Sequence, residues 1–122
     1  MSRVALIAGA GAAFIAVGLG AFGAHGLRDR LDAAQLAIWQ TAVHYQFYHA
    51  LALLVLGIWM QVTAQTGRLI VAAFLLGIIL FSGSLYALVL SGKSALGAIT
   101  PVGGMLFLLG WGAWIVRLIK VK

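Results

Sequence analysis

The chain has 122 residues, of which 64% are hydrophobic and 8% charged, with a formal net charge of +6 and no cysteine. So apolar a composition excludes an ordinary water-soluble domain and places the chain in a bilayer, while the missing cysteines exclude disulfides, thiol catalysis and thiolate metal sites. The eight Lys and Arg residues are spread along the chain and not gathered on an aromatic-bearing surface, so they read as topology signals beside anionic head groups and exclude nucleic acid as a partner.

A hydrocarbon core of ~30 Å requires about 20 apolar residues per helix. The length therefore predicts one all-α domain, residues 1–122: an integral membrane four-helix transmembrane bundle with an interfacial amphipathic helix between spans one and two. Span one covers residues 4–23. Arg3, the apolar run and the small residues near Ala24 resemble a secretory signal, but the run is longer than a usual signal core and is expected to be retained. Spans two, three and four cover residues 42–62, 69–90 and 96–119. "QTGR" (65–68) and "SGKSA" (91–95) make short connections between them.

The one long connection has a pattern of its own. Leu27, Leu31, Ala34 and Ile38 recur at helical spacing, with Arg28, Asp29, Asp32 and Gln35 turned elsewhere. This predicts an amphipathic helix over residues 27–41, lying in the interface with Trp39 at head-group depth. Asp32 and Gln35 have capping-box spacing, so a helix is expected to start at Asp32 and run into span two.

Five cations (Arg3, Arg68, Arg117, Lys120, Lys122) fall on one side of the membrane and three (Arg28, Arg30, Lys93) on the other. The excess places both termini in the cytoplasm. Along span one, Ala8, Ala12, Ala16, Gly20 and Ala24 repeat every four residues. Such a face lets another helix approach closely, either within the bundle or in a homo-oligomer. "GLGAFG" (18–23) matches a dinucleotide-binding pattern, but it follows no strand and opens no βαβ unit, so it carries no such function.

The polar residues of the spans fall in one half of the bilayer, the outer half in this topology. His25 closes span one; His44, Tyr45 and His49 stand at the start of span two with Gln40 and Tyr48; Ser82, Ser84 and Tyr86 lie late in span three; Thr100 lies early in span four. Thr100 before Pro101 predicts an N-cap, with residues 92–99 dipping into the membrane as a loop or short turn and with Gly103 and Gly104 leaving the first N–H groups open. A buried helix start of this kind attracts anions or carbonyl oxygens. His25, His44, Tyr45, His49, Ser82, Ser84, Tyr86, Thr100, Gly103 and Gly104 are therefore the candidate ligand-binding residues, beneath the interfacial helix and with His25 as its outer cap.

His44 and His49 lie about 140° apart on their helix and cannot face one metal; a zinc or haem site would need His25 to join one of them across helices with no Cys, Asp or Glu to assist, so no metal or cofactor is expected. Both carboxylates, Asp29 and Asp32, lie outside the spans, which excludes acid–base catalysis by a carboxylate pair. Ser82, Ser84 and Thr100 belong to no nucleophile elbow, and no catalytic residue is assigned.

"GAFGAHGL" (20–27), "TAVHYQFYHALALL" (41–54), "FSGSLYAL" (81–88) and "ITPVGG" (99–104), in this order and spacing, resemble the YgdD-type small inner-membrane proteins, a family known as a domain of unknown function. The resemblance covers nearly the whole chain and implies a four-span protein of the bacterial inner membrane without an assigned reaction. The function expected is non-enzymatic: a lipid or small amphiphile bound in the outer-leaflet cluster, or support of membrane integrity. The alternative is a small oligomeric channel or carrier, which an aliphatic inner half disfavours.

Overall fold

A computed structural model describes residues 1–121. Among the described residues the chain is helical with no strand: α1 (Ser2–His25), α2 (Ala33–Thr63), α3 (Arg68–Gly77), a π-helical turn (Ile78–Ser82), α4 (Gly83–Ser91), a 3₁₀ turn (Ser94–Ala98) and α5 (Thr100–Lys120). The α3–π–α4 segment is one continuous span, so four helical segments are long and apolar enough to cross a membrane. Except that α2 begins nine residues before the run over 42–62, their bounds lie within a few residues of the apolar runs, because in lipid a helix must satisfy its own backbone for the whole crossing.

Helix α2 is the centre of the arrangement. α1 packs chiefly on one side of it, the π turn and α4 pack on the other, and α3 and α5 pair with each other. The face of α1 turned to α2 is made of small residues, but it centres on Ala5, Gly9, Ala16 and Gly23; of the expected strip, Ala16 is buried, Ala8, Ala12 and Gly20 are partly buried and Ala24 is exposed. Ala5 and Ala16 are fully buried, and a β-carbon at Gly9 would lie 2.8 Å from the carbonyl oxygen of Ala50. Close backbone approach of this kind maximises dispersion contacts where lipid tails remove the hydrophobic drive for helix association. The core between α2, α3 and α5 is built from Leu53, Leu56, Ile70, Phe74, Phe107 and Trp114. It fills the end of the bundle that carries both termini and the α2–α3 turn, called here the terminal end.

The connection between α1 and α2 differs from the expected interfacial helix over 27–41. After His25 the backbone makes turns, with Gly26 N–H on Phe22 O (2.7 Å) and Leu31 N–H on Leu27 O (3.1 Å). A single helix then starts at Ala33 and runs unbroken through span two. The capping box is the reason: Asp32 Oδ1 accepts from Gln35 N (2.8 Å) and Gln35 Oε1 accepts from Asp32 N (3.1 Å). It satisfies two orphan N–H groups and starts the helix at Ala33, six residues after the expected start at Leu27. The apolar positions Leu27, Leu31 and Ile38 turn inward, packing with Trp39 and Val89 as a small second core. Trp39 is correspondingly not a head-group anchor. It is 2% exposed, and its indole N–H donates to Leu19 O of α1 at 2.9 Å.

The start of α5 also departs from expectation. The 3₁₀ turn over Ser94–Ala98 is the short turn expected before it, but Thr100 makes no side-chain cap. Its hydroxyl goes to Ser84. Asp32→Ala should lower stability by about 1 kcal/mol, the usual value of an N-cap, read from reversible denaturant unfolding in mixed micelles.

Candidate functional site

The α2 sequence "HYQFYH" (44–49) sends its polar side chains in three directions. His44 and Tyr48 lie on an exposed face, with ring centroids 6.2 Å apart. Tyr45 and His49 stack on each other, 6.3 Å apart, and turn toward α5. Gln46 lies between these faces, 4% exposed, and points into the contact of three helices.

Gln46 ties that contact together. Its Nε2 donates to Ala12 O of α1 (2.9 Å), and its Oε1 accepts from the Tyr86 hydroxyl of α4 (2.7 Å). One amide thus links α1, α2 and α4, with both ends of the side chain satisfied as burial requires. Tyr86 also packs its ring on Trp39, centroids 4.8 Å apart.

The serines and Thr100 are paired in the same way. Ser82 is fully buried and donates to Ala42 O of α2 at 2.6 Å. Ser84 donates to Phe81 O (2.9 Å) and lies 2.6 Å from Thr100 Oγ1. Since a hydroxyl has one proton and that of Ser84 is given to Phe81, Thr100 is the donor in the second bond. The π turn sets this geometry by inserting one extra residue into the helical winding. Phe81 then presents its backbone to Gly103, which has room only for hydrogen there, since a β-carbon would overlap the Phe81 main chain. Gly104 is half-buried beside the Phe81 ring.

His49 completes the set. Its Nδ1 lies 2.8 Å from Tyr45 O, and its Nε2 lies 3.0 Å from Trp111 Nε1. A carbonyl on one nitrogen and an indole donor on the other specify the Nδ1–H tautomer, with a bare Nε2 as acceptor. The imidazole stacks face to face on Phe107, centroids 3.6 Å apart and planes 8° from parallel.

The structure thus draws His49, Ser82, Ser84, Tyr86 and Thr100 into contacts between helices and sets Gly103 against Phe81. Tyr45 is half-exposed against Phe81, and His25 is exposed at the end of α1, outside this network. His44 borders a cleft of ≈ 280 Å³ between α1 and α2, which Gly20, Gly23, Trp39 and Gln40 also line. No three His, Asp or Glu side chains come together among the described residues.

Sequence reasoning missed Gln46 and Trp111. A primary amide in the middle of an apolar helix was the available signal for Gln46, because such a group must find a partner in lipid. The indole N–H of Trp111 carried the same signal more weakly.

The model for "Protein of unknown function (DUF423)" matches residues 19–104. The chain belongs to the DUF423 family. Among the relatives of this DUF423 protein, the UPF0382 membrane protein YwdK of Bacillus subtilis is 45% identical over 120 residues, covering 97% of this chain and 98% of its own length. A UPF0382 membrane protein of Staphylococcus saprophyticus is 44% identical over 119 residues, with 98% and 99% covered, and one of Staphylococcus epidermidis is 46% identical over 118, with 97% of each covered. No solved structure matches.

Once one partner of the DUF423 chain's central link is gone, removing the second should cost little further. Gln46→Leu should destabilise the bundle by about 1 kcal/mol, while Tyr86→Phe added to it should cost little more, since interhelical hydrogen bonds in membranes average about 0.6 kcal/mol. A double-mutant cycle on unfolding free energies checks the coupling.

Proposed function

We propose that this protein acts without catalysis, as a bundle of the bacterial inner membrane with both termini in the cytoplasm, seating the polar group of a lipid or small amphiphile in the cleft between α1 and α2 and so supporting membrane integrity. One contrast carries the reading. The hydroxyls of Ser82, Ser84, Tyr86 and Thr100, the amide of Gln46 and the imidazole of His49 are engaged within the protein, whereas Gln40 and His44 stand exposed along the wall of a cleft. Groups already paired hold helices together, and groups left open beside a hollow are available to a ligand.

The absence of Asp and Glu from the spans in this sequence leaves no carboxylate general base at membrane depth, which supports the non-catalytic reading. The excess of Lys and Arg on the terminal side supports the orientation. A channel or carrier within one copy has less support, because Leu53, Leu56, Phe74 and Phe107 fill the space between α2, α3 and α5. Self-association through the small-residue face of α1 would have to displace α2.

The test is a native mass spectrum of the protein released gently from its own membrane, beside a Gln40→Ala, His44→Ala double variant. A defined extra mass on the wild type that is absent from the folded variant is the expected result. Wild type and variant carrying the same masses, or none, would refute a ligand in this cleft.

A further inference from the structure

The terminal end carries a second arrangement, unrelated to the cleft beside His44. A cavity of ≈ 510 Å³ lies where the α2–α3 turn meets the last turns of α5. Its polar wall is formed by Thr66, Arg68 and Arg117, and its apolar wall by Leu69, Ala113 and Val116. A neighbouring hollow of ≈ 560 Å³ shares Arg117 and adds Lys120.

Three features give the cavity an anionic preference. Arg117 is held in place by donating from Nη2 to Thr66 O, while its Nε is buried without a hydrogen-bond partner. That Nε is covered by the protein, so the donors a guanidinium fixed in this way offers to an oxyanion are those of its Nη groups not used on Thr66. Secondly, α3 begins at this cavity with Gly67 as its N-cap and no side-chain cap, and the first intrahelical bond is Val71 N–H to Gly67 O (2.9 Å). The N–H groups of Arg68, Leu69 and Ile70 therefore precede the first ladder bond, at the positive end of the helix dipole. Thirdly, the only Asp and Glu side chains of the sequence, Asp29 and Asp32, belong to the α1–α2 connection at the other end, so neither carboxylate competes for these arginines. Leu69 and Val116, 59% and 48% exposed, continue from the charged wall as an apolar surface.

We propose that this cavity binds the phosphate of an anionic phospholipid, with Arg68 and Arg117 on the phosphoryl oxygens and an acyl chain lying along Leu69 and Val116. A phosphoryl oxyanion is the chemistry that the cations and the helix start recognise. The apolar continuation assigns its source to a lipid.

The full-length protein in vesicles of equal phosphatidylglycerol and phosphatidylcholine, examined by native mass spectrometry, tests this. The wild type should retain phosphatidylglycerol in preference to phosphatidylcholine. Arg68→Gln and Arg117→Gln should each lower that retention by about tenfold, while Arg28→Gln with Arg30→Gln, at the other end, should leave it unchanged. Because Arg117→Gln also frees Thr66, Val116→Trp provides an arm that keeps both arginines and fills the apolar wall, and it too should lose the lipid. Retention unchanged in Arg68→Gln and Val116→Trp, equal retention of the two lipids, or an equal loss in the Arg28, Arg30 variant would overturn the proposal. Stabilisation of the wild type by inorganic phosphate, with no preference for phosphatidylglycerol, would assign the site to free phosphate and overturn the lipid.

Discussion

Hydrocarbon offers no hydrogen-bond partner, so a polar side chain within a span must find one inside the protein. Gln46 meets that demand by joining a carbonyl of α1 to a hydroxyl of α4, and the rest of the bundle is arranged around the helix that carries it. Each neighbour of α2 is tied to it or through it by a side chain with a fixed partner: Trp39 to Leu19, Ser82 to Ala42, Trp111 to His49. These bonds are individually small in a membrane. Their value lies in direction, because each is made in only one rotation and register of the two helices, whereas aliphatic faces slide past one another at little cost.

The two ends of the molecule divide the labour differently. Toward the α1–α2 and α4–α5 connections the helices are held by hydrogen bonds and by the small core of Leu27, Trp39 and Val89. Toward the terminal end, packing dominates, with Phe74 meeting Trp114 edge to face and Trp111 at a tilt within the core beneath the α2–α3 turn. The π turn lies between these regimes. Its extra residue lets one helix keep Phe74 in the aromatic core while turning Ser82 to α2 and the Phe81 main chain to Gly103.

The four spans were legible because each announces itself by run length alone, and the capping box because its two residues lie three apart and need nothing distant. The connection before it was misread for a physical reason. Leu27, Leu31 and Ile38 do form an apolar set, but spacing cannot say whether that set meets lipid or protein, and Trp39 and Val89 were waiting for it. Thr100 beside Pro101 has the local look of a cap, yet a hydroxyl takes the better partner, and Ser84 is 16 residues away in sequence. Gln46 and Tyr86 are 40 residues apart. That the span polar groups gather in one half followed from the alternation of helix direction, but which of them pair depends on rotations about helix axes that no single segment specifies.

The length of α2 has a consequence for how the molecule sits. Its 31 residues extend about 46 Å against a hydrocarbon thickness of ~30 Å. Tilt alone would have to reach about 50° to submerge it, beyond the range of about 40° seen for membrane helices. Turns at its ends therefore stand above the hydrocarbon, and the polar residues there, Gln35, Gln40 and Thr41 at one end and Gln61 and Thr63 at the other, are those suited to water and head groups. α1, with 24 residues, overhangs less. A thicker bilayer draws the first turns of α2 inward and a thinner one pushes them out, so the depth of the α1–α2 connection follows the membrane's thickness while the helix contacts below it stay fixed.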